Sequence, residues 1–140
     1  YYLCRWQIEV YFKVLKSGCQ IEKLQLEHID RILRCLAIYM ILAWRILFAT
    51  LLGRVVPNIP CDTMFSDSEW RSVYTVVHKK PSPQVAPGLN EFMKCVAQLG
   101  GFLNRKGDGE PGVKTIWIGL QRMRDFAAGW EWAQTMPMLC

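Results

Sequence analysis

The residues with the most chemistry in the least space are Tyr2, Arg5, Glu9, Lys13 and Lys16, in the opening stretch YLCRWQIEVYFKVLK. On an α-helix at roughly 100° per residue, with Tyr2 at zero, Arg5 falls at about 300°, Lys16 at about 320°, Glu9 at about 340° and Lys13 at about 20°. One phenol, one carboxylate and three cations then share an arc of about 80° along roughly 21 Å of helix. Such a set suits an anion held beside a metal ion. A plainer reading makes Arg5 and Glu9 an i,i+4 surface pair, worth ~0.2–0.5 kcal/mol, on a solvated basic face. Spacing alone favours the plainer reading.

For the stripe to work, Tyr2–Lys16 must be one helix whose other side packs on a core, and Leu3, Ile8, Val10, Tyr11, Val14 and Leu15 are available for that. Lys16 in the last turn and Ser17-Gly18 after it give the expected stop. Residues 19–27 alternate apolar and polar, which fits either an extended connection or a short strand-like piece. A long helix is predicted over about His28–Leu52, with Gly53 just past its end and Pro57 and Pro60 beyond. Residues 54–65 hold both prolines and no helical period, and read as a linker. Ser66-Asp67-Ser68-Glu69 is a capping box opening a helix over 67–78. A proline-rich loop (78–88), a helix over Leu89–Leu99, a glycine-containing loop (102–112) and a last helix over about 112–134 complete the chain, with Pro111 at the first helical position and Pro137 as the stop.

The 140 residues are 51% apolar and 21% charged, which excludes a disordered tail. A net charge of +5 and a pI near 9 favour a polyanionic partner. The six cysteines are widely spaced with no C-x-x-C, and only His28 and His78 could assist them, so no zinc or redox motif is indicated. Scattered cysteines suit reduced thiols in the cytoplasm. The apolar run from Cys35 to Leu52 invites a membrane reading, but Arg45 inside it would cost ~2.5–3.5 kcal/mol at the centre of a bilayer. Basic residues flank both ends (Arg31, Arg34, Arg54), giving no orientation bias. A buried central helix and no membrane partner are expected instead. The loop 102–112 fits no phosphate-binding or calcium-binding motif and is expected to be a tight, solvated connection.

Tyr2-x2-Arg5-x3-Glu9-x6-Lys16 resembles, at every gap, the Y-R-E-K signature of bacterial cut-and-paste insertion-sequence transposases, the insertion-sequence-four group of the DDE class. The stretch YFKVLKSGCQIEKLQLE continues the likeness, and QLGGFLNRKGDGEPGVKTIWIGLQRMRDF resembles the C-terminal dimerisation region of these enzymes. With two blocks in agreement, the reading of the opening stripe reverses. The resemblance implies a mainly α fold: residues 1–53 as the helical end of an RNase H-like (α/β) catalytic domain, 54–65 as linker, and 66–140 as a small helical dimerisation module.

The resemblance further implies that Glu9 is the third acidic residue of a DDE site, helping to hold Mg²⁺ or Mn²⁺. Tyr2, Arg5 and Lys16 would grip the phosphate backbone of transposon ends, and Lys13, on the same arc, would add a contact. Implied partners are DNA and a second copy of the chain, in the bacterial cytoplasm at the nucleoid. The last helix and its neighbour would make the homodimer contact. Trp70, Trp117, Trp130 and Trp132 carry more aromatic area than a small bundle needs, as an interface would. Asp30, Asp62, Asp67, Asp108 and Asp125 match neither of the other two catalytic positions. The chain, which opens Tyr-Tyr inside a helical pattern, is therefore expected to be an inactive piece of a longer enzyme. The alternatives are a noncatalytic helical module for DNA binding or oligomerisation, and a small helical membrane protein.

Overall fold

The computed structural model describes residues 5–136. Five α-helices carry the fold: α1 (Arg5–Lys13), α2 (Ile29–Val55), α3 (Asp67–His78), α4 (Leu89–Leu99) and α5 (Val113–Thr135). The described residues contain no β-strand, so the architecture is helical as expected, without the sheet of an RNase H-like domain among them. Pro137 lies outside the described residues.

The capping box forms as the sequence requires. The Ser66 amide donates to Glu69 Oε2 at 2.9 Å, and the Glu69 amide donates to Ser66 Oγ at 3.4 Å, fixing the start of α3. Trp70 is fully buried one turn later, its indole N–H donating to Asp67 Oδ1 at 3.0 Å. Along α4, Leu89, Phe92, Met93 and Val96 are buried, and Ile116 and Met123 of α5 meet them in the core. Gly119 and Gly100 set how closely α4 and α5 approach. A Cβ on Gly119 would land on the Val96 carbonyl oxygen, and one on Gly100 on that of Thr115. The last helix starts after Gly112, so Pro111 lies just before its cap and not at the first helical position.

Three expectations change. Residues 54–65 are not a free linker: Cys61 and Phe65 are buried in the common core, and α2 runs on through Val55. The Cys61 amide donates to the Pro87 carbonyl at 2.9 Å and the Leu89 amide to the Ile59 carbonyl at 2.7 Å, pinning this segment to the start of α4. Gly53 is not past the helix end but inside α2, where Asn90 Nδ2 donates to its carbonyl at 3.2 Å and the Asn90 backbone packs on it. Lastly, α2 is not a buried central helix. Ala43, Ile46, Ala49 and Gly53 form its one buried stripe. On the other side Leu33, Ile41, Trp44, Phe48 and Val55 are exposed, with Trp44 and Phe48 stacked at 5.1 Å. By length and composition α2 alone among the described helices could cross a bilayer. Arg45 instead ties it to the bundle: its guanidinium lies 3.9 Å from Glu69 Oε2, donates to the Met64 carbonyl at 3.3 Å and faces the Phe65 ring at 5.3 Å.

Of residues 102–112, the turn 103–110 is solvated, with the Asp108 carboxylate accepting from the Arg105 amide at 2.8 Å. Phe102 packs against the core and Pro111 is buried, so the ends of the loop are anchored and not free. Residues 19–27, left open by their pattern, form a single 3₁₀ turn (Ile21–Lys23) followed by an irregular connection with Leu24 and His28 extended at its ends, and no strand.

Candidate nucleic-acid interface

Helix α1 carries Arg5, Glu9 and Lys13 of the chemical stripe and buries nothing fully; Val10 and Tyr11 are half-buried. What seats it is the turn after it. Val14–Gly18 winds as a π-helix, the Cys19 amide donating to the Val14 carbonyl at 2.9 Å. This wider turn allows Val14 and Leu15 both to face the core, where both are buried. Ser17 Oγ donates to the Lys13 carbonyl at 2.6 Å within it. The left-handed residue that redirects the chain is Gln20 (φ 52°), not Gly18. The Tyr11 hydroxyl, donating to the Met40 carbonyl at 2.9 Å, fastens α1 to α2.

Arg5 and Glu9 come together at 3.2 Å, with both side chains more than 60% exposed. Lys13, one turn on from Glu9, is exposed. Lys16 departs from its expected place. A π turn advances each residue by less than an α turn does, so Lys16 falls short of the Glu9 line. Its ammonium lies 3.5 Å from Glu22 Oε1. Ile8, expected on the core side, is exposed beside Trp6 and Phe12. Tyr2 lies outside the described residues.

Glu9 does not complete a metal centre. Among the described residues no three His, Cys, Asp or Glu side chains gather as a metal site. One carboxylate cannot supply two hard cations that each need several oxygens, so the residues present do not fit a two-ion centre by themselves.

Two groupings escape the sequence reading. A cavity of about 260 Å³ between α2 and α5 is lined by Tyr39, Arg45, Trp117, Gln121 and Arg124 among others. Its signal was Arg45, the one charge in the apolar run. Another, of about 490 Å³, joins Lys79 and Lys80 to Trp130. Its signal was the Lys-Lys pair in a loop otherwise defined by its prolines. Of the four tryptophans assigned more area than a core needs, Trp70 is core, Trp117 and Trp130 are half-buried, and Trp132 is 64% exposed.

A comparison with curated proteins finds no match. The family model described as "Transposase Tn5 dimerisation domain" matches residues 41–138, from the second half of α2 through α5. The match takes in the exposed aromatic stack of α2, the whole α3–α5 bundle, the Lys79–Lys80–Trp130 grouping and the lining of the other cavity except Ile38 and Tyr39. It covers most of the chain, and by it the chain belongs to the Tn5-type transposase dimerisation-domain family.

Proposed function

We propose that this chain is the C-terminal portion of a cut-and-paste DNA transposase of the insertion-sequence-four group, joining two copies through α5 while the α1 stripe grips transposon-end DNA. The family match over residues 41–138 carries the reading. Y-R-E-K spacing immediately before that segment supports the finer assignment. In this reading Arg5 presents a planar fork and Lys13 and Lys16 point charges to backbone phosphates, with Tyr2 adding a hydroxyl. Glu9 offers one carboxylate toward Mg²⁺ or Mn²⁺ in a site that other residues must complete. The uncovered apolar sides of α1 (Trp6, Ile8, Phe12) and α2 are surfaces on which an RNase H-like sheet would pack.

Substitution in a complete transposase carrying this chain tests the assignment. Glu9→Ala is expected to abolish Mg²⁺-dependent strand cleavage while leaving end binding within about twofold, the carboxylate being needed for metal and not for DNA. Cleavage that survives would remove Glu9 from the site. Arg5→Ala and Lys13→Ala should each lower the slope of log affinity against log salt by about 1. An unchanged slope for both returns α1 to the solvated-face reading and favours a noncatalytic oligomerisation module.

A further inference from the structure

The cavity of about 490 Å³ beside the end of α3 is lined by Thr75, Lys79, Lys80, Pro81, Ser82 and Trp130. Its polar lining is two ammonium groups and two hydroxyls, with no carboxylate. Thr75 Oγ1 is buried and has no hydrogen-bond partner, which is costly unless an acceptor arrives from outside the chain. Ser82 Oγ accepts from Arg71 Nη1 at 3.4 Å, which leaves its own proton to give. Lys80 Nζ stands 5.6 Å from the centre of the Tyr74 ring and keeps its charge unpaired by any acid among the described residues. Glu131, next in sequence to Trp130, is engaged by the Ser68 hydroxyl at 2.5 Å. A helix C-terminus accounts for one cation near Lys79. It does not account for two lysines around a partnerless hydroxyl and an indole.

We propose that this cavity takes one nucleotide of single-stranded DNA. Lys79, Lys80 and Thr75 hold its phosphate, and Trp130 stacks on its base. The hollow is shallow and open to solvent, as suits one unit of a longer strand passing over it. A lining of two cations and two hydroxyls without a carboxylate selects an anion, and the Trp130 indole selects one that carries a ring. The choice of DNA among such anions rests on the transposase reading. The site itself does not, since no residue of α1 lines it.

Fluorescence anisotropy tests this with the 140-residue chain, a labelled single strand of about 12 nucleotides and the corresponding duplex, over about 50–200 mM salt. The double variant Lys79→Asn, Lys80→Gln suits the test. Both side chains are exposed, and Asn accepts the left-handed backbone of Lys79 (φ 53°), so the melting curve should not move. Expected are a loss of about tenfold in single-strand affinity near 100 mM salt and a salt slope lower by about 1.4. Trp130→Leu should abolish the preference for single strand over duplex, and Trp130→Phe should keep it. Equal affinity and slope for the double variant and the parent overturn the proposal. A Lys13→Gln, Lys16→Gln variant is measured alongside. If it alone loses binding, the cavity assignment fails and the α1 reading stands; if only the Lys79, Lys80 variant loses binding, the reverse holds. A chain that binds no DNA overturns both.

Discussion

The Arg5–Glu9 pair is open to water on both partners, so its contribution to folding is small, about 0.3–0.5 kcal/mol as an i,i+4 pair. Replacing Glu9 should therefore leave the melting temperature nearly fixed, and a lost activity can be assigned to chemistry. The buried thiols behave in the opposite way. Burial pushes Cys19 and Cys95 up to about 11 and Cys61 up to about 12, while an unfolded thiol ionises near 8.5. The native state therefore keeps protons that the unfolded state releases, so stability is complete below about pH 8.5 and falls as pH rises toward 11–12. Denaturant midpoints at pH 8 and pH 10 should show the drop, and Cys61→Ala should make it shallower. An equal drop in that variant would assign the effect to other groups. Under native conditions at pH 8, mapped alkylation should reach the half-buried Cys35 well before Cys19, Cys61 or Cys95. Arg5 meeting Glu9 was legible because i,i+4 geometry is local. The Lys16–Glu22 pair was not, because the π turn that moves Lys16 exists to bury Val14 and Leu15 against other elements.

Among the elements, α4 and α5 come into close contact where Gly119 faces the Val96 backbone. Gly119→Ala should normally strengthen an isolated helix by about 1 kcal/mol. Here the added methyl has no room, and forcing the two helices apart is expected to cost more than propensity returns, a net loss of about 1–3 kcal/mol. Chemical denaturation of the variant checks the sign, and a stabilised Gly119→Ala would mean the crossing is looser than described. The bounds of α3 and α4 could be read from sequence, because a capping box and a glycine stop are written in adjacent residues. Segment 54–65 could not. Its prolines do break the helix, but Cys61 and Phe65 reveal their burial only once α4 is in place beside them. Gly53 misled for a related reason: a glycine near a helix end resembles a cap, whereas this one makes room for the Asn90 backbone.

At the scale of the whole molecule, two apolar surfaces are uncovered, and they call for different partners. One is the α2 side, centred on the Trp44–Phe48 stack; α1, the helix that bears the proposed metal ligand, also exposes Trp6, Ile8 and Phe12. Apolar exposure on the helix with that ligand suits the catalytic domain proposed above. On α5, Gly129 and Trp132 fall within about 60° of one another, with Trp132 exposed and Met136, just past the helix end, exposed as well. A Cβ on Gly129 would meet nothing in its own chain. A glycine in mid-helix costs about 1 kcal/mol against alanine, and close approach of a partner backbone would explain its presence there. Two copies crossing at Gly129 would cover Trp132, as expected of a dimerisation domain. Gly129→Leu separates the possibilities cleanly. It should raise the stability of the single chain through helix propensity, yet block the crossing and weaken self-association at least about tenfold, equivalent to ~1.4 kcal/mol. Trp132→Asp should do the same without the gain in stability, whereas Trp44→Asp should leave self-association unchanged. Sedimentation equilibrium across a concentration series reads all three. If Trp44→Asp dissociates the dimer and Gly129→Leu does not, the two copies meet through α2, and the catalytic domain must be sought elsewhere.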